Sequence, residues 1–163
     1  MKKAVACAAA ALAFTASCAA APSEAPVPPK PTPVPVAMPI TTSARPAPPP
    51  CGQAAAACVS LSRLEAWLMR DRKVVRGPVP VKPGSADEPT PVGMFHVVWK
   101  DREHTSSEFG MPMPNSVFFA PGGIAFHEGS LEVSSHGCVH LSPENSAAFF
   151  DGLAKGDVVE VVA

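Results

Sequence analysis

A run of prolines limits what the first third of this chain can fold into. Twelve of its 21 prolines lie between residues 22 and 50, separated mainly by alanine, valine, threonine and serine. Such a composition cannot bury a core and favours extended polyproline conformations. We therefore predict a disordered linker over 22–50, with a reach on the order of 90 Å at roughly 3.1 Å per residue. Residues 51–163 remain as one domain, which is long enough for a single modest core.

The segment before the linker, residues 1–21, has the pattern of an export signal. Two lysines precede an apolar run that is too short to cross a bilayer as a helix. The sequence Thr-Ala-Ser-Cys ending at Cys18 resembles a lipobox, so we expect Cys18 to be lipidated. The alternative is ordinary cleavage near Ala19 or Ala21. We therefore expect an exported protein of the cell envelope or periplasm, anchored to the membrane if Cys18 is acylated.

The cysteines divide the chain in the same way. Cys7 and Cys18 lie in the export signal, six residues separate Cys51 from Cys58, and Cys138 stands alone. A nearby pair in an exported protein most simply forms a disulfide, and the alternative is two free thiols. We predict a Cys51–Cys58 bridge at the start of the domain, which leaves Cys138 as the odd thiol.

Strand patterns dominate the chain after residue 58. We predict strands at 59–61, 66–69, 73–76, 79–81, 93–100, 117–120, 124–127 and 158–162. Asp71-Arg72 is expected to form a hairpin turn. Trp67 and Trp99 lie in strand patterns and are expected in the core. The predicted fold is mainly β, a compact sandwich or barrel with one short helix.

The helix is predicted over 142–153, because Ser142 can act as its N-cap and a proline follows at the first helical position. Residues 101–114 are polar and contain two prolines, which predicts a long loop over a site. His96 and His104 have no motif around them and are expected to be surface or strand residues.

Residues 126–141 carry the clearest chemical signal, one cysteine among three histidines. A thiol becomes a strong nucleophile as its thiolate, and a neighbouring imidazole commonly promotes that ionisation. Gly137 removes side-chain bulk beside the sulfur of Cys138, so that a carbonyl could approach and backbone N–H groups could face an oxyanion. The N–H groups of Gly137 and Cys138 are the candidate donors. The alternative is a buried, inert cysteine.

His136 and His140 flank Cys138 at two residues on either side. In an extended segment the three side chains would point the same way, which suits a zinc or copper site. The glycine beside Cys138 instead favours a sharp turn, and we predict no metal. His136 would orient the thiolate or the substrate, or stiffen the loop. Ser135 would cap the turn or contact the substrate.

His127 followed eleven residues later by Cys138, within Ser-His-Gly-Cys-Val at 135–139, resembles the signature of the YkuD-type L,D-transpeptidase catalytic domain. Residues 89–95, with Thr-Pro-Val-Gly, are similar to that family's turn into a strand. Residues 113–127 are similar to the strand pair that precedes its catalytic histidine. The resemblance runs from about residue 59 to residue 162.

The resemblance implies the same mainly β fold, with Cys138 as nucleophile, His127 as general base and acid, and no cofactor. The second ring nitrogen of His127 would then be held by the carbonyl of Glu128 or Gly129. Ser135, His136, Gly137 and His140 would support the substrate or the oxyanion. Unlike the family, which usually has Arg or Asn there, this chain has histidine at position 140.

The implied function is that of an exported, monomeric peptidoglycan L,D-transpeptidase, which forms a Cys138 thioester with a tetrapeptide stem and passes it to an amine. Water as acceptor would make it an L,D-carboxypeptidase, and a lipoprotein lysine would make it an anchoring enzyme. A non-catalytic wall-binding or metal-binding module is a further alternative. A papain-like peptidase is disfavoured, because there the cysteine precedes the histidine. A formal net charge of −1 gives no indication of a nucleic-acid partner.

Overall fold

The computed structural model describes residues 47–163. The predicted export signal, Cys18 and the linker up to residue 46 lie outside the described residues. Within 47–163, no helix has the length and apolar character needed to cross a membrane.

Nine strands and one helix make up the described part of the chain. The strands are β1 Ala57–Ser60, β2 Glu65–Arg70, β3 Lys73–Pro80, β4 Gly93–His96, β5 Trp99–Thr105, β6 Pro112–Ala120, β7 Ile124–Glu128, β8 Val139–Leu141 and β9 Val158–Val162. One sheet has the order β3-β2-β1-β9-β4, and the other has the order β5-β6-β7-β8. Helix α1, Pro143–Gly152, packs on β6, β7 and β8. The predicted mainly β, sandwich-like fold with one short helix is confirmed.

The core lies between the two sheets and α1. Along β9, Val159 and Val161 are buried, whereas Val158, Glu160 and Val162 are partly exposed, as expected for a strand with one face towards the core. The four-stranded sheet contributes Phe126 and the helix contributes Phe149, with ring centroids 5.2 Å apart. The side chain of Ser142 accepts a hydrogen bond from the backbone of Asn145, which confirms the predicted N-cap.

Several local predictions hold in the five-stranded sheet. Asp71 and Arg72 both have positive φ and join β2 to β3, as the tight hairpin requires. Trp67 is buried, and Cys51 is bonded to Cys58 beside it.

The predicted long loop over 101–114 is wrong, because β5 and β6 form an antiparallel hairpin whose turn spans only 106–111. Polar residues are tolerated because β5 is an edge strand, and Lys100 and Arg102 donate hydrogen bonds to groups on or just after α1. Pro112 and Pro114 fit because β6 pairs with β7 only from residue 117 onwards.

The predicted single strand over 93–100 is also wrong. It divides into β4 and β5, which belong to different sheets, with Val97 and Val98 as the crossing. Trp99 is therefore on the edge strand and is 44% exposed rather than in the core. Its ring stacks on that of Phe118 with 3.9 Å between centroids.

Candidate active site

The site forms where β7 and β8 run side by side. The two strands are parallel, with Phe126 opposite Val139 and His127 opposite His140. Cys138 immediately precedes β8, so its side chain packs against Ala125 of β7. The chain leaves the sheet after β7 and returns to it at β8. His127, Cys138 and His140 line one cleft of about 730 Å³.

The imidazole of His127 is held in one tautomer. Its Nδ1 lies 2.7 Å from the carbonyl oxygen of Glu128, the first of the two carbonyls expected from the sequence. Because a carbonyl only accepts, Nδ1 carries the proton of the neutral ring and Nε2 keeps a lone pair.

Burial also keeps His127 neutral. The side chain is 6% exposed. Its pKa is lowered to about 4, chiefly by desolvation; the Glu128 carbonyl opposes that shift, and the nearby histidines His140 and His104 contribute to the lowering. The ring is therefore an uncharged potential base at neutral pH.

Cys138 is the free thiol of the described domain and is half-buried. It packs against Met113, Phe118 and Ala125, and its sulfur lies 3.7 Å from the carbonyl oxygen of Gly123. Burial raises the pKa of the thiol, and a hydrogen bond at the backbone of Ala125 opposes the rise only in part. The sequence-based expectation that nearby histidines raise the thiolate fraction does not match this direction, because the desolvation of the apolar surroundings dominates.

The turn before Cys138 depends on glycine. Gly137 has φ +103°, and a Cβ there would lie 2.5 Å from the Cδ1 atom of Ile124. A larger residue would be strained by this backbone conformation, and its Cβ would force the end of the Ile124 side chain to move. The hydroxyl of Ser135 donates to the carbonyl oxygen of Cys138 at 2.5 Å, so Ser135 closes the turn.

His140 stands at the edge of the His127 ring, with 4.8 Å between centroids and nearly perpendicular planes. Its Nδ1 lies 2.9 Å from the carbonyl oxygen of Ser130. A Cβ on Gly129 would lie 2.6 Å from the His140 ring. The sequence suggested Gly129 only as a possible carbonyl partner of His127, whereas in the structure its missing side chain provides the space that the His140 ring occupies.

His136 turns towards the β5–β6 hairpin instead. Its ring stacks on Phe109 with 4.2 Å between centroids, and its Nε2 lies 3.6 Å from a carboxylate oxygen of Glu88. Within residues 47–163, no three His, Cys, Asp or Glu side chains are placed together to hold a metal ion.

Two further residues of the site were missed by sequence reasoning. His104 lines the cleft and packs edge-on against Phe118. A lone histidine in a polar run gives no signal for that location. Thr90 is buried behind the motif, where its hydroxyl donates to the carbonyl oxygen of Gly137 at 2.8 Å. Its place in the Thr-Pro-Val-Gly turn was the available signal.

The charged residues that line the cleft are acidic. Three carboxylates contribute to the lining, those of Glu88, Glu108 and Glu128. Among the described residues, no lysine or arginine lines the cleft. The floor is apolar, with Met113, Phe118 and Ile124. A second cavity, of about 460 Å³, lies against Trp67 and has no ionisable side chain in its lining. Of these two cavities, only the first is lined by ionisable side chains.

Comparison with known proteins identifies the family. The model of the L,D-transpeptidase catalytic domain (YkuD) matches residues 54–161, and the chain belongs to this family. L,D-transpeptidase 1 of Mycobacterium tuberculosis is 32% identical over 130 residues, which cover 68% of this chain and 51% of that protein. The chain thus spans about half the length of this curated relative.

Two solved structures support the fold. An L,D-transpeptidase from Stackebrandtia nassauensis superposes with a TM-score of 0.62 at 28% identity, covering 66% of this chain and 54% of that one. An L,D-transpeptidase solved in complex with imipenem gives a TM-score of 0.61 at 30% identity, covering 68% and 60%.

Proposed function

We propose that this protein is an exported, cysteine-dependent peptidoglycan L,D-transpeptidase. The observation that carries the proposal is the placement of a free thiol and a tautomer-fixed imidazole in one cleft, Cys138 and His127. A nucleophile, a base and a third group that orients the base form the pattern required for covalent acyl transfer. The Glu128 carbonyl is that third group.

The first half-reaction is acylation of Cys138. Because the thiol is protonated and His127 is neutral at rest, Nε2 takes the thiol proton as the sulfur attacks the substrate carbonyl. The attacked carbonyl belongs to the third residue of a tetrapeptide stem. The bond to the terminal D-alanine then breaks, and His127 returns the proton to the departing amine. The product is a thioester on Cys138 and free D-alanine.

The tetrahedral intermediate carries a negative oxygen. The backbone N–H groups of Gly137 and Cys138 are the proposed donors to it, in a turn whose positive φ at residue 137 favours glycine. Such fixed donors, in a site from which water is partly excluded, often provide the largest part of transition-state stabilisation.

The second half-reaction transfers the acyl group to an amine of a neighbouring stem, giving a 3→3 cross-link. The acidic lining of the cleft attracts an acceptor in its ammonium form, which gives one proton to bulk water before the neutral amine attacks the thioester. His127 then takes the second proton from the attacking amine and passes it to the departing sulfur, which regenerates the thiol. Water or a protein lysine would lead to the carboxypeptidase or anchoring reaction at the same site.

No metal or cofactor is proposed for either step. His140, at the usual Arg or Asn position of the family, is proposed to support His127 and the substrate through its Nε2, since its Nδ1 is engaged by Ser130. Ser135 and His136 support the turn and its contact with the β5–β6 hairpin.

Mass spectrometry after mixing the protein with imipenem tests the assignment directly, because the strained carbonyl of a carbapenem can acylate a thiol. We expect one covalent adduct, located on Cys138, and release of D-alanine from a tetrapeptide stem. An unmodified protein that also leaves the stem peptide intact would overturn the proposal and favour a non-catalytic wall-binding module.

For localisation, we propose an envelope protein anchored through a lipid on Cys18 and facing the peptidoglycan as a monomer. The support is the lipobox-like sequence before the proline-rich segment. Cys18→Ala should move the protein from the membrane fraction to the soluble fraction without changing the acylation rate. If the wild-type protein is found in the soluble fraction and its mass includes no acyl chain, ordinary secretion is the better explanation. The catalytic assignment would not be affected.

A further inference from the structure

Thr90 lies behind the catalytic turn and contacts it through a single hydroxyl. The side chain is 3% exposed. Its Oγ1 accepts a hydrogen bond from the backbone N–H of Gly84 at 3.0 Å and donates to the carbonyl oxygen of Gly137 at 2.8 Å. Because a hydroxyl has one proton and Gly84 occupies a lone pair, that proton is committed to Gly137.

The carbonyl of Gly137 and the N–H of Cys138 belong to one peptide unit. The peptide is planar and trans, so the two groups point in opposite directions. Thr90 is not part of the cleft lining, whereas Cys138 is. Fixing the carbonyl towards Thr90 therefore turns the Cys138 N–H away from Thr90.

The neighbouring contacts leave this peptide dependent on Thr90. The segment before Thr90 pairs with the motif at its two ends, through Ser85 with Ser135 and Lys82 with His140. The middle of the turn contains Gly137, and glycine gives its own backbone little resistance to rotation. The hydrogen bond from the Thr90 hydroxyl is the side-chain contact that holds the Gly137 carbonyl in place.

We propose that Thr90 is a positioning residue that aims the Cys138 N–H into the oxyanion site through the Gly137 carbonyl. The inference rests on the proposed acyl transfer. It differs from a purely structural role because it predicts a defect only in reactions that pass through an oxyanion.

Two reactions of Cys138 separate these roles. Acylation by imipenem proceeds through a tetrahedral oxyanion, whereas alkylation by iodoacetamide is a direct displacement that forms none. Both depend on the same thiol. The comparison uses Thr90→Val, which keeps the shape and removes the hydroxyl, with Thr90→Ser as the matched control that retains it.

Thr90→Val should lower the imipenem acylation rate on the order of 10²-fold, the usual cost of losing an oxyanion donor, while the iodoacetamide rate stays unchanged. Thr90→Ser should restore acylation. Circular dichroism and thermal melting establish that each variant is folded, and Thr90→Ala replaces the valine variant if that one is not.

Acylation at the wild-type rate in a folded hydroxyl-free variant would overturn the proposal. Equal slowing of both reactions would also overturn it, because Thr90 would then support the thiol or the fold rather than the oxyanion site. If the wild-type protein forms no imipenem adduct, the proposed acyl-transfer function itself is contradicted. Failure of the Thr90 proposal and failure of the proposed function therefore give different results.

Discussion

The two sheets share one apolar core but differ in whether their ionisable side chains are buried or exposed. In the five-stranded sheet, Cys58 of β1 forms a disulfide with Cys51 next to Trp67. The histidine of this sheet, His96, is exposed. The four-stranded sheet buries His127 and half-buries Cys138 on the face away from the core. Burial of a group that ionises near neutral pH opposes folding and shifts its pKa, a combination that often accompanies catalytic sites.

The difference has a physical consequence for the described domain. The five-stranded sheet gains stability from apolar burial and a covalent bond. The four-stranded sheet gives up part of that stability to keep an imidazole and a thiol desolvated and close together. Loss of the disulfide in the five-stranded sheet should therefore change stability and leave the chemistry intact, whereas substitutions at His127 or Cys138 should change the chemistry, and at His127 also the pH dependence of stability.

The largest expected effect is at Cys138. Cys138→Ala should abolish both stem-peptide turnover and the imipenem adduct, because no other free thiol lies in residues 51–163. Cys138→Ser should be nearly inactive, since a hydroxyl is far less acidic than a thiol. The matched control removes both cysteines of the disulfide, Cys51→Ser with Cys58→Ser, and should still form the adduct. Turnover retained by Cys138→Ala would reject the covalent mechanism.

The next effect is at His127. His127→Ala should slow acylation by about 10²–10⁴-fold, the range expected for losing a general base. Since residues that act as a unit are strongly non-additive, the His127→Ala/Cys138→Ala double variant should be no worse than Cys138→Ala. The control is His96→Ala on the five-stranded sheet, which should acylate normally. If the two histidine variants have equal rates, the contrast between the sheets is wrong.

The third effect is on stability as the pH falls. The folded-state pKa of His127 is about 4, below its unfolded value of 6.5. The unfolded chain therefore binds more protons between these values, and the stability from a neutral His127 is lost as the pH falls from 6.5 to 4. The loss should be up to about 3 kcal/mol, by the linkage of 1.36 kcal/mol per pKa unit.

Chemical denaturation of wild type and His127→Gln at several pH values measures this loss. The variant should show a smaller loss of stability over the same interval, because glutamine does not titrate. His96→Gln serves as the control and should follow the wild type. Parallel wild-type and His127→Gln curves would show that burial of His127 does not couple folding to protonation.

The sequence was sufficient for elements with local signals. The Ser142 cap and the Asp71-Arg72 turn each fix a local conformation through residues that are adjacent in the chain. The family resemblance also predicted that Cys138 and His127 act together, and both line one cleft in the structure.

The errors arose where tertiary structure decides. The polar residues of 101–114 suit an edge strand as well as a loop, and Arg102 finds its partners only once the fold brings Asn115 of β6 and Asp151 of α1 beside it. The pKa shift of Cys138 depends on apolar neighbours that are up to 25 residues away in sequence, such as Met113. Thr90 needed the fold to bring it to Gly137.

The smallest expected effect on chemistry comes from the Cys51–Cys58 bond. Reduction, or substitution of both cysteines by serine, should lower the free energy of unfolding by roughly 2–3 kcal/mol, the chain-entropy estimate for so short a loop. The acylation rate under conditions where the domain stays folded should not change, since the bond lies on the sheet opposite the cleft. Alkylation without reduction should label one thiol in protein lacking residues 1–21, and three after reduction. An acylation rate that falls in step with stability would show that the two sheets are coupled, and the separation of stability from chemistry would then fail.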